Sequence, residues 1–153
     1  MKGALGYGGP CFPRDNLAFS ALARGNGVPP ILAEATHQLN QSQAPRLAKW
    51  ILARLPEGGT VGVMGLSYKP NTEVIEESQG LALAKRLLSV GVPVVVYDPA
   101  AMENARPQLV GKVTFATSAA DAIWSAFGFS SGKPYTAHSV SSAAVCAFES
   151  LKP

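Results

Sequence analysis

A cysteine and an aspartate, Cys11 and Asp15, stand four residues apart directly behind a glycine-rich stretch. Glycine adopts backbone angles that other residues resist, so residues 6–9 allow this loop to wrap closely around a ligand and expose its amides. Pro13 fits the first turn of a helix that begins close to it. Cys11 would then lie just ahead of a helix N-terminus, where the helix dipole and free amides favour the thiolate, the reactive form of cysteine.

The same residues also have a purely structural interpretation. A lone cysteine is most often a small buried hydrophobe, and Gly-Gly-Pro is most often a turn. On residue types and spacing alone, Cys11 is therefore either a reactive nucleophile or an ordinary core cysteine.

The complete string from Gly6 to Asp15, GYGGPCFPRD, resembles the active-site loop of the nucleotide-sugar 6-dehydrogenases, the UDP-glucose/GDP-mannose dehydrogenase family. That family oxidises the C6 alcohol of a nucleotide sugar to a carboxylate in two hydride transfers, using two NAD. The resemblance implies that a cysteine thiolate adds to the intermediate aldehyde. The resulting thiohemiacetal loses hydride to become a thioester, and water then releases the acid.

The resemblance also implies roles for individual residues of this loop. Cys11 is the covalent nucleophile and Asp15 orients or activates the water, while Arg14 and the Cys11 loop face the NAD cofactor. The residues implied to line the sugar nucleotide here are Lys2, Gly3, Tyr7, Gly8 and Phe12. Without the resemblance, Lys2 is a solvated charge, and Arg14 and Asp15 form a salt bridge or cap the helix.

Composition indicates a globular chain of 153 residues, with 47% hydrophobic and 15% charged residues. The net charge of +3 is scattered, which argues against a nucleic-acid partner and is compatible with a few cations on an anionic small molecule. Two isolated cysteines, Cys11 and Cys146, argue against a disulfide framework, and no apolar run is long enough for a membrane span. His37 and His138 stand alone, so no metal site is expected. The predicted location is the cytoplasm.

Two helices are predicted in residues 1–57. The first covers about 13–24, and the second continues with helical periodicity from Pro30 to Leu55. Pro45 removes one helical hydrogen bond, so a kink or break is expected near Gln43-Ala44. This arm is either a core helix or, as in the family, a link between two Rossmann-like domains that packs against a second subunit. The resemblance therefore implies a homodimer.

Residues 58–123 are predicted to form a Rossmann-like domain. A strand at 60–66, a helix at 81–88 and a strand at 92–99 make a βαβ unit, whose ligands bind beyond the carboxyl ends of the strands. Asp98 and the residues after the first strand should lie at that edge. The glycines lack GxGxxG spacing, so this unit is not expected to bind NAD.

The string GLSYKPNTEVIEES after the first predicted strand resembles the family's second signature, which opens the nucleotide-binding domain. The resemblance implies that Tyr68 and Lys69 contact the substrate nucleotide, whereas Lys69 by itself is a solvated charge. Val74 and Glu76 depart from the commoner pattern, in which many members have aspartate and an arginine that reaches the cofactor side. The reversed charge indicates either a subgroup with a different contact or altered cofactor binding.

The expected fold is therefore α/β, with a helical dimerisation arm followed by an incomplete Rossmann-like parallel-sheet domain that binds UDP. Residues 124–153 are rich in serine and alanine and contain no convincing buried strand, although 140–145 are compatible with a weak helix or strand. In the family, the NAD domain and several catalytic residues precede the cysteine loop. The resemblance thus implies a piece of an NAD-dependent UDP-sugar dehydrogenase, with UDP-glucose as the favoured substrate, inactive by itself. A non-catalytic UDP-sugar-binding or dimerising module and a non-functional truncated product are the alternatives.

Overall fold

The computed structural model describes residues 5–127 and the backbone of residues 144–147. Two helices precede an alternation of strands and helices, which confirms the predicted α/β class. The helices are α1 (Phe12–Gly25), α2 (Ile31–Leu52), α3 (Gln79–Ser89), the short α4 (Met102–Ala105), which runs into a 3-10 turn (Arg106–Gln108), and α5 (Ala119–Ala126). The strands are β1 (Val61–Met64), β2 (Val94–Tyr97), β3 (Val113–Phe115) and β4 (Ala144–Ala147).

Four parallel strands form one sheet in the order β3-β2-β1-β4. Val61 of β1 lies opposite Val94 of β2, and Val94 lies opposite Val113 of β3. The predicted βαβ unit, made of β1, α3 and β2, is confirmed. Parallel pairing brings the carboxyl ends of these strands to one edge of the sheet, and the loops that follow them lie there together.

Within residues 124–153, where no convincing buried strand is expected and 140–145 are compatible with a weak helix or strand, the structure has the strand β4. This strand pairs in parallel with the free edge of β1, with Ala144 opposite Val61. Its Ala-Val-Cys-Ala sequence has little of the β-branched and aromatic character typical of strands, so only pairing with β1 identifies it. Lys2, Gly3 and His138 lie outside the described residues, as does the Cys146 side chain.

Both faces of the sheet are covered by helices. Val63 and Leu83, both fully buried, belong to the apolar cluster on the face that α3 covers. Val95 and Ala122 belong to a smaller cluster on the opposite face, where α5 packs. Burial on both faces is typical of parallel strands and explains why β1 and β2 are continuously apolar in sequence.

Helix α2 runs unbroken through Pro45, so the predicted break near Gln43-Ala44 does not occur. Proline removes one hydrogen bond from the helix, but its own side chain is exposed. Ala44, Ala48 and Ile51 from the same helix are buried in the core cluster. Tertiary packing of this face therefore holds the helix together across the proline.

A buried carboxylate joins the loops that follow β1 and β2. Asp98 is 2% exposed, and its Oδ2 accepts hydrogen bonds from the amides of Leu66 at 2.7 Å and Ser67 at 3.0 Å. Its Oδ1 accepts from the amides of Ala100 and Ala101, both at 2.8 Å. Burial alone would raise the pKa of Asp98, but the four amide hydrogen bonds together outweigh burial and lower the pKa. Asp98 lies at the expected edge of the sheet, but its carboxylate binds backbone amides of the two loops and so has a structural role.

Replacing this carboxylate should destabilise the chain. In Asp98→Asn, the amide nitrogen cannot accept a hydrogen bond, so either orientation leaves two backbone amides facing a donor. We expect the free energy of unfolding to fall by about 2–4 kcal/mol in urea denaturation. Glu57→Gln, at an exposed turn carboxylate, is the matched control and should change it by less than about 0.5 kcal/mol. Similar stability of the two variants would contradict this role.

Stability should also depend on pH through Asp98. Its pKa is lower in the folded chain than in the unfolded chain, so the unfolded state binds the proton more readily. The stabilisation is complete above the unfolded pKa, about 3.9, and is lost as pH falls through the folded pKa. The stability gap between the parent chain and Asp98→Asn, measured in urea, should therefore narrow between about pH 6 and pH 3. A gap that stays constant over this range would be inconsistent with the lowered pKa.

Candidate functional site

The glycine-rich loop ends at Cys11, which occupies the N-cap position of α1. Its carbonyl accepts a hydrogen bond from the amide of Asp15 at 2.8 Å, and Pro13 lies in the first turn, as predicted. The thiol is free and exposed, and it makes no capping hydrogen bond. Exposure excludes the interpretation of Cys11 as a buried core cysteine and leaves the sulfur accessible to a reactant.

Arg14 and Asp15 pair with each other on the surface next to this cysteine. Nε and a terminal nitrogen of Arg14 each lie 2.9 Å from Asp15 Oδ1. The two side chains are 70% and 62% exposed, so water screens their attraction. Asp15 raises the pKa of Arg14, first by hydrogen bonding and then by charge, and Cys11 adds a contribution of the same sign.

The glycine-rich loop packs directly against the segment that follows β1. The Gly9 amide donates to the Glu76 carbonyl at 2.8 Å. A Cβ placed on Gly9 would lie 2.6 Å from the Tyr68 ring, and one placed on Gly8 would lie 2.3 Å from the Glu77 carbonyl oxygen. Only glycine permits such approaches, and Gly9 also has a φ of +87°. The two sequence motifs that resemble the family are thus in contact.

Tyr68 and Lys69 present an aromatic face and a cation beside this contact. Lys69 Nζ lies 5.3 Å from the centre of the Tyr68 ring, which is a cation–π distance. The Tyr68 amide donates to the Val74 carbonyl at 3.1 Å and closes the intervening residues into a loop. Lys69 is exposed, so its ammonium group is accessible to an anion.

A buried asparagine from α2 holds the opposite side of the glycine-rich loop. Asn40 is 4% exposed; its Oδ1 accepts from the Tyr7 amide at 2.8 Å, and its Nδ2 donates to the Tyr7 carbonyl at 2.9 Å. No motif in the sequence singled out this residue. It could have been found as a polar residue on the buried stripe that includes Ala33, Ala44 and Ala48.

The Tyr7 side chain ends in a buried polar atom with no hydrogen-bond partner within the described part of the chain. Buried hydroxyl groups are normally hydrogen-bonded, so an orphaned one needs an explanation. A ligand that meets the loop would supply the missing partner. Phe12, by contrast, points largely into solvent and is 74% exposed.

A groove of about 1250 Å³ extends along the segment 73–79, between α1, α2 and α3. Gly9, Pro10 and Arg14 line it, and so do Val74 and Glu76, the two positions that depart from the family pattern. Cys11, Tyr68 and Lys69 are not among its lining residues. The structure therefore brings Tyr68 to the glycine-rich loop without enclosing the thiol, the ring and the ammonium group in this groove.

The described residues do not fit NAD. The glycines around β1 lack the dinucleotide spacing, and the first turn of α3 is already capped, because the Leu81 amide donates to the Ser78 hydroxyl at 3.2 Å. Within residues 5–127, no group of three acidic, histidine or cysteine residues could hold a metal ion. None of the helices in that part of the chain is long and apolar enough to cross a membrane.

Comparison with known proteins finds two segments of one family. Residues 1–42 match the central domain of the UDP-glucose/GDP-mannose dehydrogenase family, and residues 62–127 match its UDP binding domain. The UDP-glucose 6-dehydrogenase of Haloferax volcanii is 41% identical over 124 residues, which are 80% of this chain and 29% of the relative. That of Rhizobium meliloti is 36% identical over 109 residues, 69% of this chain and 25% of the relative.

Solved structures agree in fold. A UDP-glucose dehydrogenase from Pyrobaculum islandicum superposes with a TM-score of 0.69 at 39% identity, covering 75% of this chain and 27% of that one. A GDP-mannose dehydrogenase from Pseudomonas aeruginosa gives a TM-score of 0.65 at 22% identity over 80% of this chain and 30% of that one, a likeness of fold alone. The chain spans less than a third of the length of these relatives. With matches to the central and the UDP-binding domains, it belongs to the UDP-glucose/GDP-mannose dehydrogenase family.

Proposed function

We propose that this chain forms the substrate side of a UDP-sugar dehydrogenase site, with UDP-glucose as the favoured substrate. The observation that carries the proposal is the direct contact between the loop of Cys11 and the Tyr68 ring. That contact supports a single site in which the exposed Cys11 acts as nucleophile and Tyr68 belongs to the nucleotide-binding surface. The matches to two domains of one family support the same assignment.

In this proposal the nucleotide lies on Tyr68 and Lys69. The Tyr68 ring offers an apolar face to the nucleotide, and the Lys69 ammonium group attracts the negatively charged diphosphate. Tyr7 and Gly8 line the sugar nucleotide from the glycine-rich loop, and the unpaired Tyr7 hydroxyl is one group that could bind it. The further contacts proposed on resemblance are Phe12, Lys2 and Gly3, the last two outside the described residues.

Cys11 is proposed to act at C6 of the sugar. Its thiolate adds to the carbonyl carbon of the aldehyde, a C–S bond forms, and the carbonyl oxygen takes a proton to give a thiohemiacetal. Arg14, which pairs with Asp15 beside this cysteine, is the residue proposed to face the cofactor together with the Cys11 loop. Asp15 orients the water that releases the acid, a role that its exposure to solvent permits.

The family's NAD would accept hydride, but the described residues do not fit it. We therefore propose that NAD is bound mainly by a domain other than the described residues, with the Cys11 loop and Arg14 facing it, and that the chain by itself does not complete the oxidation. An accessible free thiol is compatible with the reducing cytoplasm predicted from the sequence.

The helical arm is proposed to pair two copies of the chain. Large apolar side chains project from α1 and α2 into solvent, including Phe19 at 60% and Leu32 at 82% exposure. Apolar surface concentrated on one part of a chain is characteristic of an interaction site. A homodimer through this arm would cover it.

Binding of UDP-glucose should raise the midpoint of thermal unfolding, since the ligand binds only the folded chain. At about 100 times the Kd the stabilisation is about 2.7 kcal/mol, which corresponds to roughly 5–10 °C for a chain of this size. UDP should give a smaller rise than UDP-glucose, and NAD none. Tyr68→Ala should remove most of the rise and Lys69→Ala part of it, whereas Lys112→Ala, at an exposed lysine beside β3, is the matched control.

This panel also tests the choice of substrate. A larger rise with UDP-N-acetylmannosamine or GDP-mannose would replace UDP-glucose as the favoured substrate. No rise with any sugar nucleotide, or an equal rise in Tyr68→Ala, would overturn the proposed site.

The purified chain, mixed with UDP-glucose and NAD, should produce no NADH above the buffer rate. The expectation follows because its described residues offer no place for the dinucleotide. The full-length Haloferax volcanii UDP-glucose 6-dehydrogenase, a relative of this chain, is the positive control. NADH formation that depends on Cys11 would show that the chain binds NAD and would refute the assignment of NAD to another domain.

A further inference from the structure

We infer that Asn40 is a positioning residue, which sets where the Cys11 loop lies against the segment from Tyr68 to Gln79. The placement of the loop is independent of the reaction. Its consequence for catalysis rests on the proposed function, because only a nucleophile needs a defined position.

The first observation is that Asn40 binds both sides of one residue. The amide and the carbonyl of Tyr7 belong to successive peptide groups, and Asn40 accepts from one at 2.8 Å and donates to the other at 2.9 Å. Both bonds together fix the orientation of the Tyr7 backbone as well as its location. Asn40 is 4% exposed, so water does not readily replace either bond.

The second observation is how closely the loop approaches this amide. A Cβ placed on Gly6 would lie 2.4 Å from Asn40 Oδ1 and 3.0 Å from Cδ of Gln79. A side chain there would force Asn40 or Gln79 to shift, so a slip of the loop by one position would drive Leu5 or Tyr7 against the Asn40 amide. The contact therefore defines the register of the loop.

The third observation is that Asn40 lies where three elements meet. It belongs to α2, it holds the loop, and its Oδ1 lies 3.4 Å from Nε2 of Gln79, the first residue of α3. Asparagine is the side chain that both donates and accepts at this length. An aspartate would lack the donor, and a glutamine would be longer by one methylene group.

Positioning at Tyr7 extends to the nucleophile through Gly8 and Gly9. Gly9 is held by its bond to the Glu76 carbonyl and by the Tyr68 ring, and Cys11, the N-cap of α1, follows two residues later. If Asn40 no longer holds Tyr7, the remaining contact at Gly9 must define the loop alone. Displacement of a reacting group by about 1 Å can cost about 100-fold in rate.

The test is site-resolved hydrogen exchange of the backbone amides in the full chain without ligand. In Asn40→Ala, we expect the amides of Tyr7 and Gly9 to exchange about 10-fold faster or more, because two buried hydrogen bonds are lost, while amides within α3 keep their protection. Asn40→Asp keeps the acceptor for the Tyr7 amide and should give an intermediate increase. If the alanine variant fails to fold, the exchange measured in Asn40→Asp provides the test instead.

Gln43→Ala is the matched control, because Gln43 is 8% exposed on the same helix. Among the described residues its side chain bonds within α2, to the Leu39 carbonyl at 3.1 Å and to Arg46 at 2.7 Å. This variant should lower stability without accelerating exchange at Gly9. Unchanged exchange at Gly9 in Asn40→Ala, or equal acceleration in Gln43→Ala, would overturn the positioning role.

Gly6→Ala approaches the same contact from the loop side. It should accelerate exchange at Tyr7 and Gly9 in the parent chain, because its Cβ would collide with Asn40 Oδ1. In the Asn40→Ala background that oxygen is absent, so the added effect of Gly6→Ala should be clearly smaller. Fully additive effects would mean that the two residues act separately and would contradict the inference.

The ligand arm of the experiment separates the two proposals. In Asn40→Ala, UDP should bind within about twofold of the parent, since Tyr68 and Lys69 are retained, whereas the extra affinity for UDP-glucose over UDP should fall. If the parent chain binds no UDP-glucose but exchange at Gly9 is still faster in Asn40→Ala than in the parent, the proposed function is refuted and the positioning role is supported. Normal UDP-glucose binding with unchanged exchange would refute the positioning role alone.

Discussion

The rest of the site depends on close packing of the Gly8 and Gly9 backbone against the segment that contains Tyr68 and Glu77. The space between them is too small for a side chain on either glycine. Glu77 itself has a φ of +51°, which is costly for a residue with a Cβ. Its carbonyl is the group that meets Gly8. Strain at Glu77 is therefore tolerated where the two family motifs meet, and the Gly9 bond to the Glu76 carbonyl holds that junction closed.

The sheet supplies the rigid side of this junction. Asp98 binds the amides of Leu66 and Ser67 and so fixes the start of the segment that carries Tyr68 and Lys69. Ser78 then caps α3 and donates to the Ser67 carbonyl at 3.3 Å, which ties the end of the segment to its beginning. The helical arm supplies the other side through Asn40. The site is thus assembled from two distant parts of the chain by buried polar groups that the protein itself satisfies.

Local sequence patterns predicted the features that depend on residues close together in the chain. The alternating strand and helix units follow from apolar runs, and the place of Cys11 at a helix start follows from Pro13 and the glycines. Long-range contacts decided the rest. Burial of Ala44 and Ala48 carries α2 through Pro45, pairing with β1 creates β4 from a weak strand sequence, and Asn40 acquires its role only from a loop 33 residues away.

The most direct test of a shared site for the nucleophile and the nucleotide is the rate at which iodoacetamide alkylates Cys11, followed on the Cys11 peptide by mass spectrometry so that Cys146 does not contribute. If both motifs bind one ligand, saturating UDP-glucose slows this alkylation about fivefold or more, and UDP, which lacks the sugar, slows it less. An alkylation rate that is unchanged at concentrations of UDP-glucose that saturate binding would contradict a shared site.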